Sequence, residues 1–590
     1  MKRKNPIMNL LSTEWEYLRD KRKIFLFYMF LFVIANLLTL LRPLVMGSVF
    51  NSIQTDILTE AGMWVIISRI WLLLAISIVF WIFHGTARVL ETKTGFLVRR
   101  NYTNDMMNKV LSLPLSWHRD NHSGDTIDKI NLSSKALEDF SQHYNFRLVG
   151  VVISLFGSMI LLLTIDKTIA AFAFGVSIIA IFVTILIDRK LGKMYKKLSE
   201  FRNRVNATIF DYLSNIRTVI TLRREDIVKQ KVDENIMKAK PIFDKSTVFN
   251  ETKWAFVSNI ISLMIVIALS FKAYSDFAFT GVIMIGTLYM LSGYLWRIGD
   301  GFFKVANLYG SIVKNSARVE NARPIIDAYD KLKKNEKVTP FPSDWKNLDI
   351  KKVRFNYRKD EEVVGIRNVN LSIERGKKIA IIGESGSGKS TVLSLLRGIY
   401  TPDKGELFCD GKKQNKGLLH LKNHTTLILQ DPELFEATLR FNITMGRKIN
   451  EEELREVVLI TRLAQVLDNL PDGLDTDIKE KGVNLSGGEK QRLALARGLL
   501  SAKDSDILLL DEPTSSVDSI NELKIYQRIF SNFRGKTIIS TIHRLHLLEG
   551  FDYIYMMDNG KVIGEGNFRQ LQNTKAFSKL WEEYNRSLKE

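Results

Sequence analysis

The chain has 590 residues, a formal net charge of +20 and one cysteine, Cys409. That length accommodates two or more domains, and a lone cysteine excludes an intramolecular disulfide or a cysteine-held metal cluster. The basic charge does not point to nucleic acid: Lys and Arg gather beside apolar segments, no arginine–aromatic interleaving stands out, and the eight histidines show no metal-ligand spacing.

The chain opens on a basic, polar stretch, Met1 to Lys4. The apolar run after it is too long for a signal-peptide core and lacks a small-residue cleavage site, so no removable signal is expected. Glu14 and Glu16 argue against an acid-poor transit peptide. Six apolar runs follow, Ile24–Phe50, Met63–Phe83, Leu148–Ile165, Thr168–Ile187, Trp254–Phe271 and Phe277–Trp296. A bilayer crossing takes about 20 residues, so each is expected to span. Buried helices of a soluble protein would carry more interior charge.

The segments joining these runs alternate. Met46 to Trp64 holds no Lys or Arg, and Asp166 and Lys167 are nearly the whole of the second short connection. Residues 84–147 and 188–253 are long and basic, with Arg99, Arg100, Lys190, Lys193, Lys196, Lys197, Arg223 and Arg224. The positive-inside rule puts these two segments and both termini in the cytoplasm. Apolar residues at spacings of three and four predict that they are mostly helical, and they far exceed ordinary connections.

Charge inside a span is costly and marks sites worth naming. Arg42 precedes Pro43 near the outer end of the first span, and Arg69 lies in the outer half of the second. They read as residues that snorkel to headgroups or pair with Asp56 or Glu60. The sharper reading is a cationic patch that holds an anionic substrate or a lipid headgroup. Tyr289, Trp296, Phe302 and Phe303 suit amphiphiles in general and helix packing equally.

A charged, Pro-containing linker follows at 330–347. From Leu348 onward, strand and helix patterns alternate to the end, which predicts an α/β domain with a partly parallel sheet over 348–590. The expected fold is therefore multi-domain, an all-α six-helix transmembrane region over 1–329 and an α/β domain behind the linker.

Within that second domain, Gly383, Glu384, Ser385, Gly386, Ser387, Gly388, Lys389, Ser390 and Thr391 fill a phosphate-loop pattern. It leaves a buried-strand run, Lys378–Ile382, and opens a helical one, Ser390–Leu396, as the motif requires. Glycines let the backbone N–H groups turn inward on phosphate oxygens, and the helix N-terminus favours negative charge. In this pattern Lys389 reaches the β- and γ-phosphates of ATP and the Ser390 hydroxyl ligates Mg²⁺. A second apolar strand, Ile507 to Leu510, ends in Asp511 and Glu512. Asp511 can hold Mg²⁺ through water, and Glu512 can orient and polarise the attacking water.

With these motifs in this order, nearly the whole chain resembles the ATP-binding cassette (ABC) transporters. Leu485, Ser486, Gly487, Gly488 and Glu489 resemble the family's signature motif, which contacts ATP bound by the opposite subunit. Tyr357 stands where the family places an adenine-stacking aromatic. Gln430 resembles the Q-loop glutamine, which senses Mg²⁺ and touches the membrane domain. Asp518 resembles the D-loop aspartate, and His543 the switch histidine that steadies the γ-phosphate. Taken alone, Tyr357 is a strand aromatic, Gln430 a loop residue and His543 a capping or core histidine; order and company carry the assignment. Two departures stand out. Glu489 replaces the commoner glutamine, and Lys479 to Gly482 replaces a Gly-Glu-Arg-Gly run while keeping Glu480.

The layout resembles an exporter half-transporter whose helices run beyond the bilayer. Leu113–His118 with Ser123–Asp125, and Asn215–Val219, resemble its coupling helices. The resemblance implies ATP-driven export or leaflet-to-leaflet flipping of a lipid, peptide or drug across the cell membrane by alternating access. It implies a dimer of half-transporters, homodimeric because Glu512 and His543 are both present, although the competent half of a heterodimer would look the same. An ATP-gated channel or regulator on the same fold is the alternative.

Overall fold

The computed structural model describes residues 5–55, 59–121, 123–333, 341–357, 364–415, 417–431, 433–478, 485–575, 577–578 and 581–582. The described chain forms two compact units. One comprises residues up to 111 together with 123–329. The other comprises 112–122 together with the chain from 330 onward.

The first unit is helical. α1 (Pro6–Leu18) starts on an Asn5 side chain that accepts from the Ile7 N–H. After it come α2 (Arg22–Thr55), α3 (Glu60–Ser112) and, grouped with the second unit, the short α4 (Leu115–Asp120). The rest are α5 (Ser123–Ile165), α6 (Lys167–Ser214), α7 (Ile216–Thr221), α8 (Glu225–Met237), α9 (Lys240–Thr280), α10 (Ile285–Glu320) and α11 (Arg323–Lys333). Among the described residues, five helical stretches are long and apolar enough to cross a membrane: 6–55, 60–112, 123–165, 167–214 and 225–280. They also present large apolar side chains outward, Phe30, Trp71, Trp81, Phe156 and Phe182 among them. Helices apolar on their outer faces suit a lipid surrounding.

The expected sixth run, Phe277–Trp296, is divided. α9 continues to Thr280, the chain turns through Gly281, and α10 begins only at Ile285. The apolar composition runs straight through this turn, which is why the pattern reads as one segment. α10 itself is less apolar than the other five, because Gly286, Gly293, Gly299, Gly301, Arg297 and Asp300 dilute it. Those glycines serve packing. A Cβ at Gly286 would lie 1.9 Å from the Gly47 carbonyl oxygen, so α2 and α10 meet backbone to backbone.

The second unit holds two sheets. β1 (Asn347–Asn356), β2 (Val364–Glu374), β4 (Lys404–Cys409) and β5 (Lys412–Lys413) form an antiparallel sheet in the order β2-β1-β4-β5. β3 (Lys378–Ile382), β6 (Thr425–Ile428), β7 (Ile507–Asp511), β8 (Thr537–Thr541), β9 (Tyr553–Asp558) and β10 (Lys561–Gly566) form the other, ordered β10-β9-β3-β8-β7-β6. Every pair in it is parallel except the β9–β10 hairpin. Its helices are α12 (Lys389–Leu396), α13 (Leu439–Thr444), α14 (Glu451–Ile460), α15 (Ala464–Leu467), α16 (Gly487–Ala502), α17 (Ser519–Asn532) and α18 (Phe568–Gln572).

The parallel strands are buried on both faces, which explains their unbroken apolar runs. Ala380, Ile382, Leu508, Leu510 and Ile538 pack with α14, α16 and α17 residues such as Leu454, Leu493 and Ile525. The alternate residues Ile379, Ile381, Ile507, Leu509 and Ile539 pack against Leu348, Ile350 and Ile366 of the antiparallel sheet. Cys409 is a buried free thiol in that second core.

Candidate functional site

Strand register sets the site. Thr541 pairs with Ile381 of β3 on one side and Asp511 of β7 on the other. The carboxyl ends of three adjacent parallel strands are therefore level, where open α/β sheets bind ligands.

From β3 the chain enters the phosphate loop. Gly383 has φ 147°, and a Cβ there would lie 2.2 Å from the Met557 carbonyl oxygen, so only glycine fits. The loop delivers Lys389 to the start of α12. Its buried ammonium donates to the carbonyls of Gly383 at 2.9 Å and Glu384 at 3.0 Å. Burial lowers the Lys389 pKa, and the carboxylates of Glu512 and Asp511 oppose that shift. The Ser387 hydroxyl is buried without a hydrogen-bond partner among the described residues.

Asp511 ends β7. Its Oδ1 accepts from Ser390 Oγ at 2.9 Å and from Thr541 Oγ1 at 2.9 Å. Burial raises its pKa, against the two hydroxyl donors. The next residue, Glu512, adopts the left-handed conformation at φ 46°, and its N–H donates to Thr541 Oγ1 at 3.0 Å. A non-glycine residue held there stores backbone strain of the kind that gathers at functional sites. Its carboxylate accepts from Gln430 Nε2 at 3.1 Å and lies 2.6 Å from His543 Nε2. Ser390, Gln430, Asp511, Glu512 and His543 thus meet, and Thr541, which the sequence does not single out, ties the two carboxylate residues together.

Tyr357 Oη is 2.7 Å from Thr391 Oγ1, and its ring meets Phe355 and Tyr400 edge-on. Arg119 of α4 reaches the Tyr357 carbonyl at 3.5 Å and lies over the Tyr400 ring.

The signature residues form the start of α16. Leu485 is buried. Ser486 and Glu489 close a reciprocal capping box: the Ser486 N–H donates to Glu489 Oε2 at 2.8 Å, and the Glu489 N–H to Ser486 Oγ at 3.4 Å. A carboxylate at 489 therefore serves the helix end as well as glutamine would, and suits its dipole. Gly488 abuts the Ser516 carbonyl. Asp518 caps α17 through the Asn521 N–H at 3.0 Å. Gln491, another residue the motifs do not name, donates to the Gln430 carbonyl at 3.3 Å and to Ser515 Oγ, and accepts from the Ser516 N–H. Residues 479–482, with Glu480, lie outside the described residues, as does Asp56.

In the helical unit Arg69 donates to the Ser48 carbonyl at 2.9 Å and to the Ser52 hydroxyl. Arg42 is exposed on α2. Tyr289 packs edge-on against Phe50, and Phe303 stacks on Trp254. Phe302 lines an apolar groove of about 690 Å³ with Leu155, Ile181, Ile185 and Tyr309.

Two family models match in succession. "ABC transporter transmembrane region" covers residues 25–295 and "ABC transporter" covers 366–515. The chain belongs to the ABC transporters. The heterocyst differentiation ATP-binding protein HepA of Nostoc sp. is 29% identical over 418 residues, 69% of this chain and 66% of that protein. This transporter thus spans just under two thirds of that relative, and 35% of ABC transporter B family member 2 of Dictyostelium discoideum, 26% identical over 84% of this chain. A putative multidrug export ATP-binding/permease protein of Staphylococcus aureus is 28% identical over 79% of this chain and 80% of its own length. The fold matches a bacterial Atm1-family ABC exporter solved with ATP bound, at TM-score 0.81 and 21% identity, over 95% of this chain and 99% of that one. This ABC transporter has the half-transporter layout, one transmembrane region followed by one ABC domain.

Proposed function

We propose that two copies of this chain form an exporter that moves an amphiphilic substrate across the cytoplasmic membrane by alternating access. The observation that carries this is the junction of Gln430, Glu512 and His543 beside Ser390 and Asp511, on a chain whose other half is a bundle of apolar helices. The basic segments 84–147 and 188–253 support cytoplasmic placement of the ATPase unit and of both termini.

In this reading Glu512 accepts a proton from the water that attacks the γ-phosphate, and Gln430 and His543 hold its carboxylate in place. Lys389 releases the loop carbonyls and turns to the phosphates. Gly487 and Gly488 present the N–H groups of a helix start, beside the Ser486 hydroxyl, to ATP on the other copy. Tyr357 packs on the adenine, and Asp518 faces the second site across the dimer.

The hydroxyl of Ser390, the carboxylate of Asp511 and the amide oxygen of Gln430 are hard oxygen donors, suited to Mg²⁺. The buried Asp511 carboxylate, with Ser390 at 2.9 Å, has the character of a cation site. Bound there, the ion would neutralise phosphate charge.

ATP hydrolysis by the chain alone, reconstituted in lipid, tests the reading beside Glu512→Gln. Robust wild-type turnover with a loss of about 100-fold or more in the variant is expected. A folded wild-type dimer that does not turn over ATP would sink the homodimer.

A further inference from the structure

Pro43 lies inside α2 and has no N–H, so the Thr39 carbonyl loses its helical donor. Arg297 of α10 supplies one. Its Nη2 donates to Thr39 O at 2.5 Å and its Nη1 to Thr39 Oγ1 at 3.3 Å. Tyr294, nearly one turn earlier, donates to the Leu40 carbonyl at 2.7 Å, and Gly293 lies against the Pro43 ring. The Arg297 guanidinium is therefore pinned on α2 at the level of residues 39–43.

Arg42 is about one turn along α2 from Thr39, exposed, and within electrostatic reach of Arg297. No hydrogen bond or ion pair joins Arg42 to another described residue. The neighbouring acid on α10, Asp300, is engaged by Lys304. Arg69 spends its charge on Ser48 and Ser52.

The level of the pair along α2 and α10 follows from the helix ends. Gln54 bonds Ile283 O at 2.9 Å and the Ile285 N–H at 3.2 Å, which levels the end of α2 with the start of α10. Arg42 and Arg297 lie 12 or 13 residues inside those ends. At 1.5 Å per residue that is about 18–20 Å, well inside both helices rather than at their ends. Two cations on apolar helices, with Asp300 as the neighbouring acid already engaged by Lys304, are expensive and mark function. One turn on from Arg297, Gly301 packs on Leu155, which also lines the apolar groove with Phe302. Cationic and apolar surfaces thus adjoin on α10.

We propose that Arg42 and Arg297 form an oxyanion subsite inside the membrane unit, which takes the phosphate or carboxylate headgroup of an amphiphile whose apolar part enters the groove. This rests on the exporter reading above and adds a substrate class to it. Arg297 is half committed to Thr39 and gives the subsite a fixed donor. Arg42 is the uncommitted cation that closes on the ligand.

The test is binding of dodecyl phosphate to the full-length protein in phosphatidylcholine nanodiscs without ATP, with dodecyl trimethylammonium as the control. Arg42→Gln leaves the Arg297–Thr39 link in place, and its thermal unfolding reports that it is folded. Wild type should bind dodecyl phosphate at least about ten-fold more tightly than the cationic control. Arg42→Gln should abolish that preference and Arg42→Lys should keep most of it. Adding phosphatidylglycerol to the discs identifies the source of the headgroup. Competition seen in wild type and lost in Arg42→Gln means a lipid, and no competition means a soluble amphiphile. Equal binding by wild type and folded Arg42→Gln would overturn the subsite, as would conversion of that variant to monomers, which would make Arg42 a dimer contact. Selective binding without uphill transport in vesicles would instead overturn the export reading and leave the subsite standing.

Discussion

The nucleotide site and the arginines of the membrane unit handle charge in opposite ways. At the strand ends, Lys389, Asp511 and Glu512 each have at least two protein partners, and Thr541 ties two of those residues together. In the membrane unit Arg69 and Arg297 turn to backbone carbonyls, and Arg42 has no such partner. An interlocked site is set before its ligand arrives and needs only rearrangement of existing bonds. A cation left over in an apolar bundle needs its ligand to complete it.

The largest effect that separates the two is expected at the Pro43 link. Arg297→Met strands the Thr39 carbonyl and should destabilise by about 2 kcal/mol. Pro43→Ala restores a local donor, so the double variant should recover about 1 kcal/mol relative to additivity. Thermal unfolding of the four proteins in nanodiscs reads this cycle, and strict additivity would show that Arg297 does not serve that carbonyl. Next is Thr541→Val, which removes a donor to Asp511 and an acceptor for the Glu512 N–H. A loss of about 1–2 kcal/mol is expected, with a fall in kcat larger than any change in KM for ATP. Ser486→Ala should cost about 1 kcal/mol through its capping role, whereas Glu489→Gln keeps the box and should stay within about 0.5 kcal/mol.

The smallest effect concerns pH. The folded Asp511 carboxyl binds its proton more tightly than an unfolded one, so folded protein carries more protons just above the usual carboxylate range. Stability of nucleotide-free protein should fall as pH rises through that window, and Asp511→Asn should flatten the slope. A steeper slope in the variant would contradict the burial argument.

Much of the ATP-binding side is legible in the sequence because its chemistry is local. A phosphate loop needs its glycines within a few residues, and the strands on either side are buried on both faces, so they read as unbroken apolar runs. Thr541 escapes notice since a threonine in a strand reads as an ordinary β-former. Gln491 sits within a helix that already has an apparent purpose. In the membrane unit the informative contacts are remote: Arg297 and Thr39 are 258 residues apart, beyond any periodicity. The turn at Gly281 is missed for the reverse reason, since apolar composition continues across it while the backbone does not.

Thr541 faces both neighbouring strands at one rung of the sheet, opposite Ile381 and Asp511. A single codon inserted in β8 would move its hydroxyl to the opposite face and put an apolar side chain beside the two carboxylates. Chain length in this strand is thereby under as strict a constraint as residue identity. A scan of one-residue insertions should find Thr537–Thr541 closed, with folding and turnover failing at the same positions.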